Sequence, residues 1–198
     1  MFKNILIIGP GRAGKTTLAR LIHQKYGYSV VRIDDIVTAM EAFPSLGISW
    51  DGDAAKIATQ MAPFLRIYLK ELSEGNAFYG GCKTVIEGTD VDFDALIPHI
   101  NRRKYLIVGL TYDHVTDMGL FDAIRTHDTE DDWTYYLSDE QLRAYCAQYV
   151  EKNKHFGEKC KQYGIEVYDT STDREAVLCD IVEHLEDKCH WEAPPDEA

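Results

Sequence analysis

The sequence predicts an α/β fold in which a parallel sheet is covered by helices on both faces, and three observations carry that prediction. Five short segments rich in β-branched and aromatic residues recur along the chain, helical patterns separate them, and a glycine-rich motif joins the first strand to the first helix. Strands that alternate with helices connect by crossovers, and crossovers build parallel sheets buried on both sides.

In order, the first strand is Ile5-Leu6-Ile7-Ile8, ending at Gly9. The run is too short for a membrane helix and no cleavage site follows it. A helix is predicted over about residues 14–26, with Leu18, Leu21 and Ile22 on one face and Gly27 as its stop. The second strand covers residues 28–33, and another helix begins near Asp34. Over about residues 53–74, Ile57, Met61, Leu65, Tyr68, Leu69 and Leu72 recur at helical spacing until Gly75 closes the run. This long helix is inserted ahead of the third strand, residues 84–86. Asp90, Asp92 and Asp94 lack the glycine and terminal glutamate of a calcium loop, and read as a polar turn and helix start. The fourth strand spans residues 105–110, followed by a helix near 115–125, a polar stretch over 126–138 and a long helix over 139–163. A fifth strand at 165–168 and a final helix over 174–188 complete the pattern.

The 198 residues, 45% apolar and 27% charged, suit one domain with a full core, expected over residues 1–189. Residues 190–198, with Pro194-Pro195 and several acids, read as a loose tail. Thirty-three acidic residues against 21 basic ones give a net charge of -12, which argues against general nucleic-acid binding. Five cysteines, Cys82, Cys146, Cys160, Cys179 and Cys189, form no CxxC pair, so neither a disulfide framework nor a zinc site is expected. A reducing, cytoplasmic location without a membrane anchor fits, as monomer or homodimer.

Gly9-Pro10-Gly11-Arg12-Ala13-Gly14-Lys15-Thr16 satisfies G-x-x-x-x-G-K-[ST] at every fixed position, and Thr17 extends it. It follows a strand and opens a helix, the setting in which backbone N–H groups and a helix N-terminus wrap a phosphate. Lys15 is then expected on the β- and γ-phosphates and the Thr16 hydroxyl on magnesium. On these residues, and on the layout from Ile5 to the last helix, the chain resembles the small P-loop kinases, which include adenylate kinase, shikimate kinase, gluconate kinase and chloramphenicol phosphotransferase. The resemblance implies a three-layer P-loop NTPase sandwich with strand order 2-3-1-4-5. It also implies an acceptor-binding insertion over about residues 34–81, a lid over about 125–138, and ATP with Mg2+ as cofactors.

Several further residues become candidates. Asp34 and Asp35 follow the second strand, where open α/β sheets bind ligands. The resemblance implies that one of them orients or deprotonates the acceptor, with Asp34 also near magnesium; the alternative is a helix cap. Glu87 and Gly88 follow the third strand, so Glu87 is expected to hold magnesium through water or to meet the acceptor, the alternative being a solvated turn. Shikimate kinase carries a glycine run here, a departure that argues against shikimate as substrate. Arginines suit the charge that spreads over a transferring phosphoryl group. Arg12 lies in the loop, Arg125 stands where the family places a lid arginine, and Arg66 on the inserted helix is expected to hold an anionic part of the acceptor. Arg125 has a surface salt bridge as its alternative. Thr170 and Ser171, after the fifth strand, are expected near the adenine, while Ser171 or Thr172 with Glu175 has the spacing of a helix cap. Phe43, Trp50, Phe64 and Tyr68 are either pocket walls or core.

The expected activity is transfer of the γ-phosphoryl group of Mg-ATP to a small-molecule acceptor. A nucleotide hydrolase or switch is the first alternative, and a polynucleotide or tRNA kinase a less favoured one.

Overall fold

The computed structural model describes residues 3–50, 54–78, 83–89, 91–130 and 132–189. Gly81, Cys82, Asp90, Asp131 and the tail 190–198 lie outside the described residues. Five strands, β1 (Asn4–Ile8), β2 (Ser29–Arg32), β3 (Thr84–Gly88), β4 (Tyr105–Thr111) and β5 (Glu166–Asp169), form one sheet in the order β2-β3-β1-β4-β5. Every pairing is parallel. This is the order the resemblance implies.

The helices are α1 (Lys15–Tyr26), α2 (Ile33–Glu41), α3 (Ala54–Phe78), α4 (Phe93–Leu96), α5 (Asp117–His127), α6 (Asp139–Gln162), α7 (Arg174–Glu183) and α8 (Leu185–Cys189). β1 is buried along its whole length because it lies mid-sheet under helices on both faces. Its side chains alternate between two cores. Ile5 and Ile7 join Leu18 and Ile22 of α1, Phe121 and Ile124 of α5, and Leu178 and Ile181 of α7. Leu6 and Ile8 join Ile33 and Val37 of α2, Met61 and Leu65 of α3, and Phe93 of α4. Each fully buried aliphatic side chain of this kind contributes roughly 1.5–3 kcal/mol.

Local signals set most boundaries. Gly27 ends α1 in the left-handed conformation, at φ 71, and its N–H donates to His23 O. Thr116 and Ser138 cap α5 and α6, the latter in a capping box with Gln141. Asp92 caps α4, accepting from the Ala95 N–H. Three helix boundaries differ from the sequence expectation. Gly75 does not stop the inserted helix, because it never takes positive φ and the helix runs on to Phe78. Asp173, rather than Ser171 or Thr172, caps α7 by accepting from the Ala176 N–H at 3.0 Å. The last helical run breaks at His184 into two short helices. Cys146, Cys160 and Cys189 are buried, and burial pushes the Cys146 thiol up to about 11 and the Cys160 thiol up to about 12, as suits inert core residues. Among the described residues, no helix is long and apolar enough to cross a membrane.

Candidate nucleotide and acceptor site

The glycine-rich loop leaves β1 at the carboxyl edge of the sheet, between β3 and β4. Two of its glycines have close neighbours. A Cβ on Gly9 would lie 2.5 Å from Leu110 O, and one on Gly11 would lie 2.3 Å from the Tyr145 hydroxyl oxygen. A larger residue at Gly9 would therefore push the β4 backbone off the loop, whereas one at Gly11 would displace the Tyr145 and Tyr149 side chains. Gly14 takes φ 95 as α1 begins. Lys15 is buried, and its Nζ donates to Pro10 O at 2.8 Å, so the ammonium lies against the loop it is expected to serve.

Arg12 is the one non-glycine residue with positive φ among the described residues, at 67°. A side chain in that conformation costs roughly 1–2 kcal/mol. Its guanidinium crosses to the segment after α5, where Nη2 donates to Asp128 Oδ1 at 2.8 Å and Nη1 pairs with Asp132. Partial burial disfavours a charged Asp132, but the Thr129 N–H and Arg12 outweigh it and hold that carboxyl below its ordinary range.

At the end of β3, Glu87 is 2% exposed and lies in register with Ile7 and Arg32. Thr16 Oγ1 donates to Glu87 Oε1 at 3.0 Å, and Arg32 Nε reaches the same oxygen at 3.3 Å. The structure thus brings the loop threonine and the β3 carboxylate together, and Glu87 is no solvated turn residue. It remains in the strand, as does Gly88, where a Cβ would meet Ile33 Cβ at 2.7 Å. Oxygen donors of this type suit magnesium, which takes few carboxylates and keeps much of its water.

Asp34 and Asp35 lie in the first turn of α2 rather than in a loop, since the helix starts at Ile33 with no side-chain cap. Acids are favourable at that end of a helix dipole. Asp35 pairs with Arg32 at 3.1 Å, whereas Asp34, half-buried, has no hydrogen bond or ion pair among the described residues. Arg32 drew no attention in the sequence, because its role appears only through cross-strand register.

Arg125 is held inside the polymer segment it was expected to swing. Its Nη2 donates to Leu137 O at 2.7 Å and Asp139 Oδ1 at 2.9 Å, its Nε to the same carboxylate at 3.1 Å, and its Nη1 to Thr134 O at 3.3 Å. Arg66 is not brought to the loop at all. It lines a separate hollow with Lys70, His99 and Lys104, and its position along α3 is about 18 Å from Ala54 at 1.5 Å per residue. Phe64 and Tyr68 stack at 5.6 Å and pack against the core, while Phe43 and Trp50 are exposed.

After β5, Thr170 is a structural tie: its hydroxyl lies 2.9 Å from Thr111 O and 3.2 Å from Ala13 O, linking β5, β4 and the loop. The Ser171 N–H donates to Asp169 Oδ1 at 2.9 Å. Beside them Arg174, at the start of α7, lays its aliphatic stem along Gly14, with Cδ 3.3 Å from where a Cβ would stand. Burial, and next the charge of Arg12, lower the pKa of its guanidinium. It escaped the sequence reading because a first-turn arginine has no pattern of its own.

A cavity of about 280 Å³ opens next to Gly9 and Pro10, between the start of α3, the β3–α4 loop and α6. Lys152, His155 and Lys159 line its α6 side. These three also escaped the sequence reading, although their spacing places them along one side of a helix. Lys159 is already paired with Asp94 at 2.9 Å, whereas Lys152 has its ammonium 5.1 Å from the centre of the Tyr149 ring.

No family model and no curated protein sequence matches the chain. Solved structures do. A shikimate kinase from Bacteroides thetaiotaomicron superposes with a TM-score of 0.57 at 18% identity, covering 94% of this chain and 98% of that one. A gluconokinase from Sinorhizobium meliloti gives 0.54 at 13% identity, covering 94% and 93%. A shikimate kinase from Acinetobacter baumannii in complex with shikimate gives 0.50 at 13% identity, covering 94% and 92%. At such identities the likeness is one of architecture, and in architecture this chain has the fold of the small P-loop kinases.

Proposed function

We propose that the chain is a phosphotransferase that moves the γ-phosphoryl group of Mg-ATP to a small acceptor. One observation carries this reading: a complete glycine-rich loop has its threonine bonded to a buried carboxylate on one side and an open cavity on the other. A hydrolase needs the cradle and a water. A transferase needs a second chamber, and the cavity beside Gly9 supplies one.

In this reading the loop N–H groups, Lys15 and Thr17 bind the phosphates, while Ser171 and Arg174 border the base. Thr16 and Glu87 hold magnesium, joined through water by Asp34. Magnesium would neutralise charge on the β- and γ-phosphates. Asp34 receives the acceptor proton or orients the hydroxyl, and the lack of any competing partner among the described residues leaves its carboxylate available. Lys152 and His155 hold an anionic group of the acceptor, with Asp35 and Gly88 at the margin. Arg66 belongs outside this chamber. Cytoplasmic residence and action on a small molecule, without membrane or nucleic acid, complete the proposal.

The test is ADP release with and without a library of nucleosides, nucleotides and sugar acids. Asp34→Asn is expected to reduce acceptor-dependent release by roughly 10²–10⁴-fold, the contribution of positioned proton transfer, while nucleotide binding survives. Acceptor-independent release above about one per second, the low end of ordinary turnover, together with an inert library, overturns the assignment in favour of a hydrolase.

A further inference from the structure

The glycine-rich loop contains one residue that its conformation does not favour. Arg12 stands between Gly11 and Gly14 at φ 67, where glycine would be free of strain. Strained positions persist where the surroundings over-determine them, and they gather at functional sites. The surroundings here are specific. Asp128, whose side chain is 2% exposed, accepts from Arg12 Nη2 and from the Thr134 hydroxyl at 2.7 Å. Asp132 pairs with Arg12 Nη1 and is itself fixed by the Thr129 N–H and hydroxyl, both at 3.1 Å.

Arg125 stands one step further back. Its Nη1 is 4.0 Å from Asp128 Oδ2 and donates to Thr134 O, while Nη2 and Nε hold Leu137 and Asp139. The chain of charges therefore runs from Asp139 through Arg125 and Asp128 to Arg12, and ends on the phosphate loop. Among the described residues, Arg12 keeps its Nε–H and one N–H on each terminal nitrogen for a further acceptor. A planar guanidinium clamped by two carboxylates has lost its freedom to rotate while retaining those donors, which is the preorganisation that phosphoryl transfer rewards.

We propose that Arg12 is the arginine that meets the γ-phosphoryl group, and that Asp128 and Asp132 are positioning residues that aim it, with Arg125 acting only through Asp128. The proposal rests on the phosphotransferase reading and assigns within it the role expected of Arg125. An arginine fixed to the loop itself is in place before the nucleotide arrives. One on a swinging segment would have to be brought there.

The experiment compares binding of a fluorescent ADP and a fluorescent non-hydrolysable ATP analogue, both with magnesium, to the parent protein, Arg12→Gly, Arg12→Lys and Asp128→Asn. Arg12→Gly is expected to lose about tenfold in affinity for the triphosphate, the worth of one charge-assisted hydrogen bond, while its affinity for the diphosphate changes little. Asp128→Asn, which keeps the shape and the Thr134 bond, is expected to lose the same preference to a smaller degree, and Arg12→Lys to fall between parent and glycine. Equal losses on both nucleotides, or an unchanged preference in Arg12→Gly, overturn the proposal. Tighter triphosphate binding by Asp128→Asn also overturns it, because the carboxylates would then be competing with the phosphate. No acceptor is needed, so failure of the phosphotransferase reading, which shows as acceptor-independent turnover, is read separately.

Discussion

The two sides of the site are built in different ways. The proposed phosphate side is a continuous stretch of chain, Gly9 to Thr17, pinned by the close β4 backbone at Gly9, by the Tyr145 and Tyr149 side chains at Gly11 and by a buried lysine. The proposed acceptor side is assembled from the start of α3, the β3–α4 loop and α6, which are distant in sequence and contribute a few side chains each. The first depends on backbone shape and tolerates little change; the second depends on side-chain identity and can be altered one residue at a time. Specificity is therefore expected to be adjustable without loss of nucleotide binding.

The largest expected effect tests the phosphate side. Lys15→Ala should reduce phosphoryl transfer by about 10²–10³-fold, as removal of one preorganised charge donor does elsewhere, with a melting temperature close to that of the parent. Equal turnover by the variant would remove the contrast, since the loop would then have no chemical role.

A smaller effect is expected across the cavity. Lys152→Ala should raise KM for an anionic acceptor about tenfold and leave kcat and the KM for ATP near their parent values, the signature of lost uniform binding. If KM for ATP rises instead, the two sides are not independent. Lys159→Ala is a useful companion, because its tie to Asp94 gives it a structural role that Lys152 lacks.

The smallest effect concerns pH. Asp132 has a folded-state pKa below its ordinary value, so the stability it contributes is present above about pH 4, the unfolded value, and is lost as pH falls through the lower folded one. Hydrogen exchange over residues 128–139 should accelerate in that acid window ahead of the sheet. Asp132→Asn should remove the pH step. A segment that opens at the same pH as β1 and β4 would show that no local tie holds it.

The contrast also explains what could be read from sequence. The five strands, the glycine-rich loop and the start of the long helix at Asp139 rest on local patterns, and the structure has them; the strand order comes from the resemblance. The meeting of Thr16 and Glu87 was within reach because both stand at the carboxyl edge of a parallel sheet. The pairing of Arg12 with Asp128 and Asp132 was not, because it spans more than a hundred residues and follows no periodicity. Arg66 had the right residue type on the right helix, but halfway along α3 it lines a separate hollow with Lys70, His99 and Lys104. Gly75 shows the limit of composition, since a glycine stops a helix only when it adopts the left-handed conformation.

The central position of β1 has a consequence for the making of the protein. β1 leaves the ribosome before the other four strands of its sheet, yet Ile5 pairs with Val85 on one side and Leu106 on the other, roughly eighty and a hundred positions later. At about 5–20 residues per second, its edges stay unpaired for roughly 4–20 s of synthesis. During that interval α1 is the first helix available to cover it, through Leu18 and Ile22, and α2 and α3 follow on the other face through Val37, Met61 and Leu65. The helix that opens the phosphate cradle in the finished protein thus also serves as the first shelter of the strand beneath it.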